Sequence, residues 1–194
     1  MGKSLRLVVA VVVTCVVAAS GLAITYGATK DRIAEQVRLA EENSLKEVLP
    51  DATEFVDAGP DVLAAAKTAA GDVDCSAVYR AESADGVLVG WGLLVAGRGY
   101  GGPIQLVLGL DSSGKVTGVT ILTMAETPGL GTKVKSEEWF LEQFKELPEG
   151  FGVEDVRKLD MVSGSTKSSR GVRSGIEAGG RIYADVLSGL SGGE

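Results

Sequence analysis

The sequence predicts an α+β protein, in which an antiparallel sheet with packed helices follows one N-terminal transmembrane helix. Residues 7–26 contain no charged residue, residues 77–123 read as strands joined by short turns, and the flanking segments have helical periodicity. The chain has 194 residues, which is enough for one substantial core but not for two ordinary domains beside a membrane segment.

The composition disfavours several classes of function. A net charge of −7 disfavours nucleic-acid binding, and the absence of histidine removes the commonest general base and the commonest metal ligand. The two cysteines, Cys15 and Cys75, are far apart and provide neither a disulfide framework nor a CxxC metal or redox pair. We therefore predict no metal site, and catalysis would depend on a bound cofactor. The 27 glycines predict close backbone approaches, as in a protein that wraps a planar ligand.

The uncharged run over residues 7–26 has about the 20 residues that a helix needs to cross a bilayer. Lys3 and Arg6 precede it, so the positive-inside rule places residues 1–6 in the cytoplasm and the rest of this single-pass chain outside the cytoplasmic membrane. The alternative is a cleaved signal peptide, for which residues 18–20 offer small side chains. The apolar run continues beyond them and is long for a signal peptide, which favours an uncleaved anchor.

The segment after the membrane helix is predicted to continue as an amphipathic helical connector over residues 27–50. Apolar residues recur there at helical spacing with charged residues between them, and Pro50 ends the pattern. The extracytoplasmic domain is predicted to follow over residues 51–194. It opens with a short helix that begins at Pro60 and extends to Ala70.

Two predicted hairpins supply the antiparallel sheet. The first joins residues 78–81 to residues 87–95 across an Asp-Gly turn at 85–86. The second joins residues 104–110 to residues 116–123 across the turn at 111–114.

A glycine-rich segment, residues 97–102, separates the two hairpins and is too rich in glycine to be predicted as strand. As a bare pattern it is similar to a phosphate-binding loop. It contains no Gly-Lys-Thr/Ser and opens no helix, so nucleotide triphosphate binding is disfavoured.

The C-terminal third is predicted to contain two helices with a strand between them. Ser136 is placed to cap the first helix, whose apolar face holds Trp139, Phe140 and Phe144. Residues 155–159 are predicted to form a short strand. The final helix has one apolar stripe, made of Val172, Ile176, Gly179, Tyr183, Val186 and Leu190.

The segment 160–170, Asp-Met-Val-Ser-Gly-Ser-Thr-Lys-Ser-Ser-Arg, leads into that final helix. Residues 163–166 are small and polar, so they leave backbone N–H groups and the Thr166 hydroxyl uncovered at a helix start, which suits an anion. Lys167, Arg170 and Arg173 add positive charge close by.

The same segment resembles the flavinylation motif of the FMN-binding domain family, Asp-x-x-Ser-Gly-Ala-Thr. The match places Asp160, Ser163, Gly164 and Thr166 on motif positions, whereas Ser165 stands where the family usually has alanine. The resemblance implies that a flavin transferase joins FMN to Thr166 through a phosphoester. It implies that Asp160 helps the transferase to recognise the chain, with FAD as donor and a divalent metal held by the transferase.

A second stretch, Glu-Thr-Pro-Gly-Leu-Gly at residues 126–131, matches another signature of the same family. By composition alone it is a rigid turn. The resemblance implies that Glu126, Thr127, Gly129 and Leu130 line the isoalloxazine ring. The run at 99–104 resembles the family segment that precedes this signature. Met124 stands where many members have a histidine two residues before the glutamate.

The whole chain resembles the G subunits of Rnf electron-transport complexes and shares its flavin motif with the C subunits of the sodium-pumping NADH:quinone reductase. This resemblance implies that covalently held FMN transfers electrons among other membrane subunits, without independent catalysis by protein groups. In that family electrons pass between ferredoxin and NAD+, coupled to sodium or proton movement. Lys167 and Arg170 would balance the charge of the phosphodiester.

Two alternatives belong to other classes of protein. One is a flavinylated, membrane-anchored carrier of another extracytoplasmic chain, which delivers electrons to quinones or extracellular acceptors. The other is an anchored scaffold domain without flavin, which predicts a colourless protein with the unmodified mass.

Overall fold

The computed structural model describes residues 2–191, and its chain divides into two compact units, Met1–Ala40 and Glu41–Glu194. Residue 1 of the predicted tail and the last three residues of the predicted domain lie outside the described residues. The helices and strands are α1 (Lys3–Val48), β1 (Glu54–Asp57), α2 (Pro60–Ala70), β2 (Asp74–Glu82), β3 (Leu88–Arg98), β4 (Pro103–Asp111), β5 (Val116–Met124), α3 (Lys133–Ser136), α4 (Glu138–Glu142), α5 (Val153–Lys158), α6 (Thr166–Ile182) and α7 (Ser188–Ser191). A 3₁₀ turn (Gln143–Glu146) follows α4, and a π turn (Tyr183–Leu187) follows α6.

The first unit consists of the N-terminal part of α1, which is long and apolar enough to cross a membrane. Its large apolar side chains are exposed, as lipid-facing side chains must be. The hydroxyls of Thr14 and Thr25 donate to the carbonyls of Ala10 and Gly21, each at 2.9 Å. These polar groups are therefore satisfied within the helix, which suits an apolar environment.

The second unit contains one antiparallel sheet with the strand order β1-β2-β3-β4-β5, so that neighbours in sequence are neighbours in space. The predicted α+β class and both predicted hairpins are confirmed. In the second hairpin the Asp111 carboxylate accepts the N–H groups of Ser113 and Lys115, at 2.8 and 3.0 Å, and Gly114 has a φ of 82°. The edge strand β1 was not predicted, because it has four residues and no buried side chain to mark it.

Helix α6 packs on one face of the sheet at unusually short range. A Cβ atom at Gly97 would lie 1.8 Å from the Gly171 carbonyl oxygen, and one at Gly179 would lie 2.2 Å from Leu108 Cδ2. Glycine at these positions therefore lets the helix backbone approach β3 and β4. The adjacent glycines Gly179 and Gly180 lie inside α6, where each costs about 1 kcal/mol relative to alanine, and this close packing offsets that cost.

The opposite face of the sheet receives the last turns of α1, which belong to the second unit. Gly92, Gly109 and Gly118 are register partners on β3, β4 and β5, and form a row without side chains. A Cβ at Gly109 would lie 2.7 Å from the Val48 carbonyl oxygen, and a Cβ at Gly118 would lie 2.9 Å from Val48 Cα. This glycine row therefore accommodates the end of the helix.

The same helix end is fixed by burial and by a hydrogen bond. Leu45, Val48 and Leu49 are 3%, 2% and 2% exposed and form a cluster with Ala81, Leu94 and Val107. The Thr117 hydroxyl donates to the Val48 carbonyl at 2.6 Å, which satisfies a carbonyl that the helix end leaves open. Residues 41–50 therefore pack within the second unit, together with residues 51–191 of the predicted extracytoplasmic domain.

The predicted strand at residues 155–159 is wrong, since the chain forms helix α5 there. The Asp155 carboxylate accepts the N–H of Gly152 at 3.1 Å, which caps the helix start, and this bond together with Lys158 holds the pKa of Asp155 below its ordinary value. Glu154 pairs with Arg157 at 3.1 Å and Asp155 with Lys158 at 3.0 Å. Capping and these i,i+3 pairs stabilise the helix, and Val156 and Leu159 are three residues apart, which is a helical spacing and not the alternation of a strand.

Ser136 does not cap a helix, because it is the last residue of α3. The chain bends at Glu137, whose φ of −88° and ψ of 93° separate α3 from α4. This bend buries Val134 on one side and Phe140 on the other, each 0% exposed. Of the predicted aromatic face, Phe144 is also buried, whereas Trp139 is 46% exposed.

Cys75 is expected to be unreactive in the folded protein. Its side chain is 0% exposed, and burial raises the pKa of its thiol to about 11. At pH 8 only about one thiol in a thousand is then a thiolate. Iodoacetamide at pH 8 should therefore label Cys75 only after denaturation, as measured by peptide mass spectrometry. Rapid labelling of Cys75 in the native protein would contradict this packing.

Candidate functional site

A cavity of about 320 Å³ lies where three segments of the second unit meet. These segments are the loop at residues 99–102, the turn at residues 126–131 and the start of α6. The lining residues are Tyr100, Glu126, Thr127, Leu130, Gly131, Gly164, Ser165, Thr166, Lys167 and Ser168. The two family signatures and the glycine-rich segment, which are separate in sequence, thus form a single site.

The start of α6 leaves backbone donors available at this cavity. The turn before it is closed by the Ser165 N–H, which donates to the Val162 carbonyl at 3.0 Å, and Gly164 has the positive φ of 78° that favours glycine. Thr166, the first residue of α6, is exposed. The first N–H groups of a helix have no intrahelical acceptor, and the helix dipole favours negative charge near them. This geometry suits a phosphate.

Ser165 connects the two signatures. It is 4% exposed, and its hydroxyl donates to the Leu130 carbonyl instead of capping the first turn of α6. An alanine at this position could not make that bond. The departure from the family pattern therefore adds a link between the turn and the helix, and leaves the helix N–H groups free for an anion.

The Glu126 side chain accepts three hydrogen bonds at the site. It is 8% exposed, and its Oε1 accepts the N–H groups of Tyr100 and Gly101 at 2.7 and 3.1 Å. Its Oε2 accepts the hydroxyl of Ser168 at 2.8 Å. The carboxylate therefore connects the 99–102 loop to the first turn of α6, and the loop N–H groups bind this internal anion.

Thr127, Gly129 and Leu130 form the exposed turn predicted from their composition. The Leu130 N–H donates to the Thr127 carbonyl at 3.2 Å, and Gly129 has a φ of 75°. Thr127 and Leu130 line the cavity, whereas Gly129 does not. Leu130 is 55% exposed and offers an apolar surface beside the start of α6.

Lys167 and Tyr100 form one side of the cavity. The Lys167 ammonium lies 5.4 Å from the centroid of the Tyr100 ring, within the range of a cation–π contact. Tyr100 is 72% exposed, and sequence reasoning missed it as a site residue. A lone aromatic residue in a glycine-rich loop was the signal that could have identified it. Arg170 is exposed and is not among the lining residues.

Asp160 and Ser163 lie outside the cavity lining, and both are exposed. The side-chain amide of Gln143 fixes the backbone of Asp160, since it accepts the Asp160 N–H at 2.9 Å and donates to the Asp160 carbonyl at 3.0 Å. This positions the Asp160 carboxylate at the surface next to the α6 start. Met124, at the end of β5, is half-buried against the hydrophobic core and does not line the cavity.

The site provides binding groups and little acid–base chemistry. Within residues 2–191 no cluster of three or more cysteine, aspartate or glutamate side chains is arranged to hold a metal ion. The donors at the start of α6 suit a phosphate, and Tyr100 with Leu130 offers apolar surface for a planar ring. The residues present therefore fit a flavin mononucleotide.

This cavity on an antiparallel sheet is that of a flavin-binding protein, and the FMN-binding domain family matches residues 99–179. The RnfG N-terminal region matches residues 7–48, which cover most of α1. The apolar helix and this match together indicate a membrane anchor.

Two relatives by sequence are G subunits of ion-translocating oxidoreductase complexes. The G subunit of the ion-translocating oxidoreductase complex of Shewanella amazonensis is 38% identical over 125 residues, which cover 63% of this chain and 58% of that protein. The G subunit of the Na(+)-translocating ferredoxin:NAD(+) oxidoreductase complex of Acetobacterium woodii is 30% identical over 181 residues, which cover 88% and 86%. The crystal structure of Shewanella oneidensis NqrC matches with a TM-score of 0.48 and 19% identity, over 74% of this chain and 73% of that chain. The chain belongs to the family of G subunits of ion-translocating, Rnf-type oxidoreductase complexes.

Proposed function

We propose that this chain is the electron-transfer subunit of a membrane-bound, Rnf-type ferredoxin/NAD oxidoreductase complex, and that it carries FMN as a phosphoester of Thr166. The observation that carries the proposal is the position of Thr166. It is the exposed first residue of α6, at a cavity built from both flavin signatures. Electrons would pass to and from other membrane subunits of the complex.

The protein groups at the site bind and orient, and FMN supplies one-electron chemistry when it is bound. The first-turn N–H groups of α6 would hold the phosphate of FMN, and the Lys167 ammonium would offset its negative charge. Leu130 and Tyr100 both line the cavity and would offer apolar surface to the ring.

Attachment requires a flavin transferase, which we propose uses FAD as donor. The Thr166 hydroxyl oxygen would form a bond to the FMN phosphorus, while the phosphoanhydride bond of FAD breaks and AMP leaves with the hydroxyl proton. The exposed Asp160 carboxylate makes no hydrogen bond or ion pair within the described part of the chain, so it is available to the transferase.

The test of this function is the intact mass of the full-length protein after co-expression with a flavin transferase. We expect a gain of one esterified FMN, with flavin fluorescence in a denaturing gel. A protein that stays colourless at the unmodified mass would support the scaffold alternative. A flavinylated protein encoded apart from the other subunits of the complex would support a carrier of another chain.

We also propose that the flavin domain lies on the extracytoplasmic side, because Lys3 and Arg6 precede the apolar segment. Protease added outside spheroplasts should then digest the domain from Glu41 onwards and spare a cytoplasmic marker protein. Protection of the domain until the membrane is permeabilised would show the opposite orientation.

A further inference from the structure

One glycine of the 97–102 segment and one glycine of the 126–131 signature lie against the same buried carboxylate, that of Glu126. A Cβ atom at Gly99 would lie 2.1 Å from Glu126 Oε1, and a Cβ atom at Gly131 would lie 2.2 Å from Glu126 Oε2. Neither position can hold a larger residue while the carboxylate stays where it is. Both glycines are therefore explained by Glu126, before any ligand is considered.

The carboxylate uses this space to join segments that carry different parts of the site. Oε1 accepts two N–H groups from the loop that presents Tyr100, at 2.7 and 3.1 Å. Oε2 accepts the Ser168 hydroxyl, two residues after Thr166, at 2.8 Å. Three donors leave little capacity on the carboxylate for a ligand.

We infer that Glu126 is a positioning residue, which holds the Tyr100 loop and the first turn of α6 in one fixed arrangement around the flavin cavity. This differs from the role implied by family resemblance, in which Glu126 lines the isoalloxazine ring. The 5.4 Å contact between Lys167 and Tyr100 depends on this arrangement, since one partner lies on each tethered segment. Glu126 thus determines the shape of the cavity.

The variant Glu126→Gln removes the negative charge of the side chain but keeps its size and its ability to form hydrogen bonds. In Glu126→Gln the amide oxygen can accept both loop N–H groups, and the amide nitrogen can donate to the Ser168 oxygen. Glu126→Ala removes all three tethers. Ser168→Ala removes only the helix tether, and alanine is a good helix former, so this variant should fold. Glu149→Ala, at an exposed glutamate, is the matched control.

The first measurement is amide hydrogen exchange of residues 99–102 in the full-length, flavin-free protein in detergent. Glu126→Ala should exchange about tenfold faster than wild type there, because hydrogen bonds to a charged acceptor are lost. Glu126→Gln, Ser168→Ala and Glu149→Ala should stay within about threefold of wild type, since their loop bonds persist. Unchanged exchange in Glu126→Ala would overturn the inference.

The second measurement is FMN occupancy by intact mass after limited co-expression with the transferase. This part rests on the proposed function, whereas the exchange measurement does not. Glu126→Ala and Ser168→Ala should fall several-fold below wild type, and Glu126→Gln should recover most of the occupancy. A Glu126→Gln variant as low as Glu126→Ala would show that the charge itself is required and would overturn a positioning role. Full occupancy in Ser168→Ala would overturn the helix tether, and no FMN in wild type would refute only the proposed function.

Discussion

Thr166→Ala is expected to abolish covalent attachment of FMN completely. The substitution removes the hydroxyl oxygen that forms the proposed phosphoester, while alanine at the first position of α6 favours the helix. The expected intact mass is that of the unmodified chain, against a gain of one FMN in wild type. Purified Thr166→Ala protein should also lose its flavin fluorescence in a denaturing gel.

Two neighbouring hydroxyls provide the matched controls for this experiment. Ser163 is exposed and does not line the cavity, whereas Ser165 lines it with its hydroxyl donated to Leu130. Ser163→Ala and Ser165→Ala should both keep the flavin mass. Thr166→Ser retains a hydroxyl and tests whether the transferase needs the threonine methyl. Flavin mass that persists in Thr166→Ala and disappears in one of the serine variants would reassign the attachment site.

A chain that begins at Asp51 is expected to lose most of the stability of the domain, whereas a chain that begins at Glu41 should fold. The shorter chain lacks Leu45, Val48 and Leu49, each at most 3% exposed. Burial of one such side chain stabilises a protein by about 1.5–3 kcal/mol, so the three contribute roughly 5–9 kcal/mol. That is comparable with the whole stability of a typical domain, about 5–15 kcal/mol.

Thermal melting by circular dichroism distinguishes the two chains. The chain from Glu41 should show one cooperative transition, and the chain from Asp51 should aggregate or melt tens of degrees lower. A Leu45→Ala variant of the longer chain should fall between them, with a loss of about 2–4 kcal/mol. Similar melting temperatures for both chains would mean that the glycine row does not need the end of α1.

The part of the fold that follows from local chemistry was predictable from the sequence. Short turns such as 111–114 fix the hairpins, Pro60 marks the start of α2, and an uncharged run identifies the membrane segment. The two predictions that failed have different causes. The bend at Glu137 depends on burial of Val134 and Phe140 in the core, whereas helix α5 is stabilised by a local cap and i,i+3 ion pairs that the strand prediction left out.

The candidate site was also predictable from the sequence only in part. Its location at the start of α6, and the meeting of the two signatures there, were implied by motifs that carry over position by position. The role of Glu126 was not implied by the motifs, because its partners Tyr100 and Ser168 are 26 and 42 residues away in sequence. No periodicity connects such residues. Only the folded chain shows that the carboxylate oxygens accept their hydrogen bonds from other groups of the protein.

Three segments that are distant in sequence meet at one cavity, so the residue proposed to bind FMN covalently and the residues that would surround the flavin ring belong to different parts of the chain. The proposed anchor is a single hydroxyl on a short surface segment, and the phosphoester bond itself would include no atom of residues 99–102 or 126–131, although their arrangement affects how much of the protein acquires FMN. The environment belongs to those two segments and to the carboxylate between them. Mutation could therefore remove the bond and leave a reversible flavin pocket, or alter the electronic properties of the flavin while its tether stays intact.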